Sequence, residues 1–155
     1  MPSVALLGSG LLGEAIGRRL LDQSVELKVW NRTPERCQTL IQEGAQAVPD
    51  LSSLAEGCST VITVLRDGPV THAVVRELGD LRGGCLMPMG TMGITEIRSL
   101  AEQVPHQNGH CLEAPVLGSN PQALKGKLLV MAGGESTLFD RQRPLLEQLS
   151  QEPML

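Results

Sequence analysis

A glycine-rich run near the start of the sequence has the spacing of a phosphate-binding loop. The residues are Gly8-Ser9-Gly10-Leu11-Leu12-Gly13, a G-x-G-x-x-G pattern. The apolar run Val4–Leu7 before it predicts a buried strand, and helically spaced apolar residues over Leu11–Leu21 predict a helix after it. In such a loop the first glycine permits a tight turn, the second admits a pyrophosphate and the third lets the helix pack closely. The free N–H groups of the helix start favour an anion. We therefore expect a dinucleotide cofactor to bind here.

The end of the second predicted strand, Leu27–Trp30, indicates which dinucleotide. An acidic residue that holds the ribose hydroxyls is usual at this place, but Asn31 stands there, 18 positions after Gly13 (31 − 13). Arg32 can pair with a 2′-phosphate and cover the adenine face, and Thr33 can donate its hydroxyl. Arg36, one helical turn further, either joins them or is a solvated helix residue. This pattern favours NADP(H) over NAD(H).

Strands and helices alternate along the rest of the chain. This alternation predicts an α/β fold of Rossmann type, a doubly wound, mostly parallel sheet with helices on both faces. Ligands of such sheets bind at the carboxyl ends of the strands. Further strands are expected over 45–48, 61–65, 85–89, 111–113 and 128–131, and helices over 34–43, 50–57, 69–78, 95–103 and 136–149.

Composition excludes several classes of partner. The 155 residues carry 13 Lys and Arg against 17 Asp and Glu, and no basic tract that would suit nucleic acid or an anionic membrane. The only aromatic residues are Trp30 and Phe139, too few for a nucleic-acid stacking surface. We expect neither a signal peptide nor a membrane anchor, because the apolar run Val4–Leu7 breaks at Gly8. The four cysteines form no zinc-binding pattern, so we expect no metal, reduced thiols and a cytoplasmic location.

Three later segments, taken with the glycine run, resemble one enzyme family. They are 62–70 (ITVLRDGPV), 87–93 (MPMGTMG) and 112–119 (LEAPVLGS), and 128–134 (LLVMAGG) closes the set. In this order they resemble the β-hydroxyacid dehydrogenases. That family includes 3-hydroxyisobutyrate dehydrogenase, glyoxylate/succinic semialdehyde reductases and, more distantly, 6-phosphogluconate dehydrogenase and imine reductases. The resemblance covers residues 3–149.

The resemblance implies a role for each later motif. Leu65 and Arg66 match the loop that passes the pyrophosphate and nicotinamide ribose, and Thr91 matches a threonine beside the nicotinamide. Residues 112–119 match a stretch that contacts the substrate carboxylate, which makes Pro115, Leu117, Gly118 and Ser119 substrate-binding candidates. The chain departs from the family pattern there, because Leu117 replaces a serine, Ser119 replaces a glycine and Gly90 replaces the serine before Thr91. Residues 113–115 can equally be a strand end with a stiff turn.

The resemblance also implies what the chain does not contain. The family's catalytic lysine follows the nucleotide-binding domain, and an all-helical second domain closes the substrate cleft. Neither is found within residues 1–155, so no catalytic residue is assigned and the isolated chain is expected to turn over little or no substrate. A fragment explains this more simply than a natural stand-alone domain.

The sequence therefore indicates the cofactor-binding half of an NADP(H)-dependent oxidoreductase that acts on a small β-hydroxyacid or semialdehyde. Two alternatives stay open: an imine reductase, and a non-catalytic NADP(H)-binding or interaction module. We also expect a homo-oligomer, because Leu145, Leu146 and Leu149 on the last helix are predicted to be partly exposed.

Overall fold

Six parallel strands form the centre of the protein. The computed structural model describes residues 3–155. The strands run in the spatial order β3-β2-β1-β4-β5-β6, the doubly wound arrangement in which strand order reverses between β1 and β4. Their bounds are β1 Ser3–Leu7, β2 Leu27–Trp30, β3 Gln46–Ala47, β4 Cys58–Thr63, β5 Cys85–Pro88 and β6 His110–Cys111.

Helices cover both faces of this sheet. One apolar core contains Val4 and Leu6 of β1, and the other contains Ala5 and Leu7, because successive side chains of a strand point to opposite faces. All five residues of β1 are buried, as expected for a central parallel strand. The helices are α1 Leu11–Asp22, α2 Gln38–Gln42, α3 Gly68–Leu78, α4 Ile94–Gln103, α5 Asn120–Leu124 and α6 Ser136–Leu149. The predicted fold class is confirmed.

A small antiparallel sheet lies beside the main one. It pairs β7 Val116–Leu117 with β8 Leu129–Val130, and Met154 adds a parallel bridge to Met131. The sequence predicts a strand over 128–131, but it does not predict β7, α5 or the separation of these strands from the main sheet. Both missed elements are very short, so they carry little periodic signal.

Three sequence expectations about helices are wrong. The helix expected over 50–57 is a 3-10 turn over Leu51–Ser53, because the residues that follow it form turns leading directly into β4. The helix expected over 34–43 is a 3-10 turn over Pro34–Cys37 followed by the short helix α2. The leucines expected to be partly exposed on α6 are buried, with 6%, 0% and 0% of Leu145, Leu146 and Leu149 accessible. They join the core that contains Ile16 and Leu20 of α1. These three leucines therefore offer no exposed apolar surface for self-association.

Candidate functional site

The glycine run borders a cleft at the carboxyl edge of the sheet, where the strand order reverses. The cleft has a volume of about 490 Å³. The loops after β1, β2 and β4 contribute to it, as the switch-point rule predicts. Its lining contains ten of the predicted cofactor residues and one that was not predicted, Val64: Gly8, Gly10, Leu11, Leu12, Gly13, Asn31, Thr33, Arg36, Val64, Leu65 and Arg66.

The three glycines are required for different geometric reasons. Gly8 has φ +103°, and a β-carbon there would collide with the carbonyl oxygen of Val64. A β-carbon on Gly13 would collide with the carbonyl oxygen of Gly8, so this glycine allows α1 to pack against the turn. A β-carbon on Gly10 would meet no atom within 4 Å. Folding therefore requires Gly8 and Gly13, whereas Gly10 only keeps the cleft open.

The start of α1 provides donors for an anion. The first hydrogen bond of the helix runs from the Glu14 N–H to the Gly10 carbonyl at 2.8 Å, and Gly10 is the N-cap without a capping side chain. The N–H groups of the first turn therefore have no partner within the helix. Together with the positive end of the helix dipole, they suit the pyrophosphate of a dinucleotide.

Asn31 connects this loop to the end of β2. Its Oδ1 accepts a hydrogen bond from the Ser9 N–H at 2.9 Å, and its Nδ2 donates to the Thr33 carbonyl at 2.9 Å. Ser9 is buried and its hydroxyl lies 3.5 Å from the Cys37 thiol, so it supports the loop from behind. Asn31 thus holds both the glycine loop and the loop that carries the predicted 2′-phosphate contacts.

Three arginines lie at or near the cleft, and they differ in whether they line it and whether they are ion-paired. Arg36 and Arg66 line it, whereas Arg32 is exposed on the same loop as Thr33 and does not line it. The Arg66 Nε lies 2.9 Å from Asp67 Oδ2, an exposed ion pair. The hydrogen bond from the Val70 N–H lowers the pKa of Asp67, and the bond from Arg66 lowers that pKa further.

Thr91 lies in a neighbouring small cavity together with a predicted substrate residue. This cavity, about 70 Å³, is lined by Pro88, Gly90, Thr91, Met92, Ile97, Glu113 and Pro115. A β-carbon on Gly90 would approach the Leu65 carbonyl oxygen to 2.9 Å, so glycine allows these two loops to touch. Thr91 and Pro115 are therefore brought together, beside the cofactor cleft.

The other substrate candidates lie on an exposed segment. Leu117 is in β7 with 59% of its surface accessible, and Gly118 follows with φ +147°. The Ser119 N–H and hydroxyl both face Gln122 Oε1, at 2.7 and 3.3 Å, which caps α5. None of these three residues lines the cleft or the Thr91 cavity.

Sequence reasoning missed Val64 and Glu113. Val64 lies between β4 and the predicted contact Leu65, so its position in the sequence was the available signal. Glu113 lies at the Thr91 cavity, and a β-carbon on Gly133 would collide with its side chain. No sequence pattern links Glu113 to Gly133, because the two meet only through an isolated antiparallel bridge.

Metal centres and membrane-spanning helices are both absent from residues 3–155. No group of three or more His, Cys, Asp or Glu side chains in this part of the chain is placed to hold a metal ion. None of the helices described is long and apolar enough to span a membrane.

The fold and the cleft together define a dinucleotide-binding domain of an oxidoreductase type. Residues 3–154 match the family described as the NAD binding domain of 6-phosphogluconate dehydrogenase, and the chain belongs to this family. The resemblance to β-hydroxyacid dehydrogenases is thereby confirmed at the level of the family.

Relatives extend this result. Glyoxylate/succinic semialdehyde reductase 1 of Arabidopsis thaliana is 28% identical over 151 residues, covering 94% of this chain and 52% of the relative. An uncharacterized oxidoreductase of Bacillus subtilis is 33% identical over 154 residues, covering 96% and 54%. The solved imine reductase from Pseudomonas sp. superposes with a TM-score of 0.93 at 26% identity, covering 99% and 55%. The chain thus spans about half the length of each.

Proposed function

We propose that this chain is the NADP(H)-binding half of an oxidoreductase that reduces a small semialdehyde or oxidises a small β-hydroxyacid. The observation that carries the proposal is the cleft at the carboxyl edge, where the glycine loop, Asn31 and Arg36 meet. When bound, the cofactor supplies the hydride chemistry. The chain's own residues bind and orient it.

Each part of the cleft has a place in this proposal. The α1 N-terminus and the open space at Gly10 take the pyrophosphate. Arg32, Thr33 and Arg36 take the 2′-phosphate, to which an uncharged Asn31 presents no repulsion. Leu65 and Arg66 contact the nicotinamide ribose, and Thr91 lies beside the nicotinamide.

The substrate side of the proposal rests on fewer contacts. Pro115 shares the Thr91 cavity, and Leu117, Gly118 and Ser119 follow it on an exposed segment. The sequence similarity to a glyoxylate/succinic semialdehyde reductase supports a small carbonyl substrate. The similarity to an imine reductase, together with Leu117 and Gly90 in place of serines, makes imine reduction the second candidate.

The rest of the proposal concerns the isolated chain and its assembly. We propose that residues 1–155 alone bind the cofactor with little or no turnover, and that the working protein is a cytoplasmic homo-oligomer. The four cysteines are free thiols, which suits a reducing compartment. Leu117, Leu129, Met131 and Met154 present exposed apolar surface suited to assembly.

A nucleotide titration tests the cofactor assignment. Trp30 is the only tryptophan and directly precedes Asn31, so its fluorescence reports binding. NADPH should bind more tightly than NADH, and Arg32→Ala should weaken NADPH binding by about tenfold or more without affecting NADH, since a charged hydrogen bond is lost. Arg76→Ala, an exposed arginine on α3, is the matched control. An Arg32→Ala protein that still prefers NADPH would refute the assignment.

The substrate class is tested with the protein encoded by the complete gene. NADPH consumption is followed with glyoxylate, succinic semialdehyde and a cyclic imine. Faster consumption with either aldehyde supports the leading proposal, and faster consumption with the imine supports the second candidate. Sedimentation of the same protein over a range of concentrations tests assembly, and a monomer throughout would contradict it.

A further inference from the structure

A second cavity lies at the amino edge of the main sheet, opposite the cofactor cleft. Its volume is about 490 Å³, within the range of small-ligand sites. The ends of four strands form its floor through Val4, Thr60, Cys85 and His110, and α6 covers it. Because all six strands are parallel, a ligand here and a nucleotide at the carboxyl edge occupy opposite ends of the same strands.

The charged side chains that line this amino-edge cavity are two arginines, and a histidine lies beside them. Arg82, Arg141 and His110 line it, and no Asp or Glu does so within residues 3–155. Arg82 is partly engaged, since its Nη2 lies 3.3 Å from Glu56 Oε1. Arg141 has no carboxylate within 4.0 Å in the described part of the chain. In a protein of net charge −4, this concentration of positive charge favours an anion.

The buried wall below Arg141 is neutral. Burial raises the pKa of the Cys85 thiol to about 12, and Cys85 lines the cavity together with Arg141. Cys85 therefore adds uncharged surface beside the buried side chains of Val4, Leu138 and Leu145. An anion that binds here has an apolar wall against which to place a hydrocarbon body.

A partly buried polar pair supplies a further donor. The Thr60 hydroxyl, on a residue only 2% exposed, donates to Gln142 Oε1 at 2.8 Å. This contact occupies the amide oxygen of Gln142 and fixes the orientation of the amide. The amide nitrogen makes no hydrogen bond to residues 3–155, and the side chain lines the cavity. It is available to donate to a ligand oxygen.

The loop beside the cavity is poorly suited to phosphate. Phosphate sites commonly use successive backbone N–H groups. Here the Gly83 N–H donates to the Asn108 carbonyl at 2.6 Å, and the Gly84 N–H donates to the Leu81 carbonyl at 2.8 Å. The side-chain donors around the cavity include Arg141, Gln142 and His110, and a guanidinium group suits a planar carboxylate.

We propose that the amino-edge cavity is a second ligand site, for a small organic carboxylate whose hydrocarbon part lies against the apolar wall. Arg141 pairs with the carboxylate, and the Gln142 amide nitrogen donates to it. The site is separate from the cofactor cleft, so nucleotide and carboxylate bind without competing.

Amide NMR spectra of the full chain, titrated with sodium isovalerate, test this site. Shifts are expected for Val4, Thr60, Cys85 and Gln142, with a dissociation constant of about 1 mM or less, while the Gly8–Gly13 loop stays unshifted. Isovaleramide, the uncharged analogue, and inorganic phosphate at matched ionic strength should bind at least about tenfold more weakly. Since the readout is at the opposite edge, it is independent of whether the nucleotide assignment holds.

Two variants and a control distinguish a loss of binding caused by a changed charge in the cavity from one caused by misfolding. Arg141→Gln should weaken isovalerate binding about tenfold. Gln142→Glu keeps an acceptor for Thr60 but adds a negative charge, and should abolish binding. Arg143→Gln should bind normally, because Arg143 lies over the Phe139 ring and near Asp140, outside the cavity. The proposal is overturned if isovaleramide binds as tightly as isovalerate, if Arg141→Gln binds normally, or if wild-type amides at the amino edge do not shift.

Discussion

The carboxyl edge of the main sheet and the small β7–β8 sheet, together with the segment between its two strands, differ in which atoms determine their geometry. At the carboxyl edge, backbone atoms set the shape: Gly8 and Gly13 each sit where a β-carbon would meet a carbonyl oxygen. In the β7–β8 region, side chains determine the shape: Leu117 is exposed, and the Ser119 N–H donates to the side chain of Gln122. A site shaped by backbone contacts tolerates few substitutions, whereas a side-chain surface can change with its ligand. The glycine run, whose shape depends on backbone contacts, keeps the full G-x-G-x-x-G pattern, whereas residues 112–119 depart from the pattern of the family that they resemble.

The largest expected effect comes from the backbone contact at Gly13. Gly13→Ala places a β-carbon against the Gly8 carbonyl, and we expect a loss of about 3 to 5 kcal/mol in the free energy of unfolding, as for other severe steric clashes. Gly10→Ala has open space and φ −70°, so its stability should change by less than about 1 kcal/mol. Urea unfolding measures both.

Nucleotide titration of Gly10→Ala tests whether the open space at this residue is used for binding. Gly10→Ala should fold normally yet bind NADPH more weakly, because the new methyl group enters the cleft. If Gly10→Ala bound NADPH normally, the cleft would not be the pyrophosphate site. If Gly13→Ala were as stable as the wild type, the distinction between backbone-set and side-chain-set regions would fail.

A smaller effect is expected from a single charge at the end of β2. Asn31→Asp keeps an acceptor for the Ser9 N–H but loses the donor to the Thr33 carbonyl. The added carboxylate repels a 2′-phosphate and can hold ribose hydroxyls, so the ratio of NADPH to NADH affinity should fall about tenfold. Trp30 fluorescence titrations give both constants, and an unchanged ratio would contradict the role of Asn31.

Much of the carboxyl edge was predictable because each signal there is local. The glycine run carries its own spacing, and Asn31 follows it at a fixed interval along a strand and helix of ordinary length. Arg36 and Thr33 line the cleft as well, and their contact with a cofactor stays a prediction.

The features that sequence reasoning missed depend on contacts between distant residues. The α6 leucines are buried against α1, and the Arg19 Nε donates to the Gln148 carbonyl at 2.7 Å across that contact. The amphipathic pattern shows which helix face is apolar but not which element covers it. The pairing of Leu117 with Leu129 likewise depends on register between strands of two residues each.

The capping contact in the segment between β7 and β8 gives a test of its independence from the cofactor cleft. Gln122→Ala removes the acceptor for the Ser119 N–H and hydroxyl, so α5 should lose stability by about 1 kcal/mol. NADPH affinity should not change, since neither residue lines the cleft. Unfolding and nucleotide titration are measured on the same sample, and a matching loss of affinity would show that the two regions are coupled.

The smallest expected effect is an electrostatic contribution to stability from Asp67, at the carboxyl edge of the sheet. Asp67 caps α3 through the Val70 N–H at 2.9 Å, and its pKa is lowered in the folded protein. A carboxyl with a lowered folded pKa stabilises the fold above its unfolded pKa, and that contribution is lost as pH falls through the folded pKa. Asp67→Asn should therefore lower the urea midpoint at neutral pH, and the difference from wild type should shrink in acid.

Arg66→Ala separates the two causes of that shift. The Val70 N–H is the larger cause and remains in this variant, so most of the pH dependence should persist although the ion pair is gone. An Arg66→Ala protein that behaves like Asp67→Asn would assign the effect to the exposed ion pair instead. Exposed ion pairs contribute little to stability in water. The hydrogen bond from the Val70 N–H is therefore expected to account for most of the pH dependence, so backbone atoms matter most here, as they do at Gly8 and Gly13.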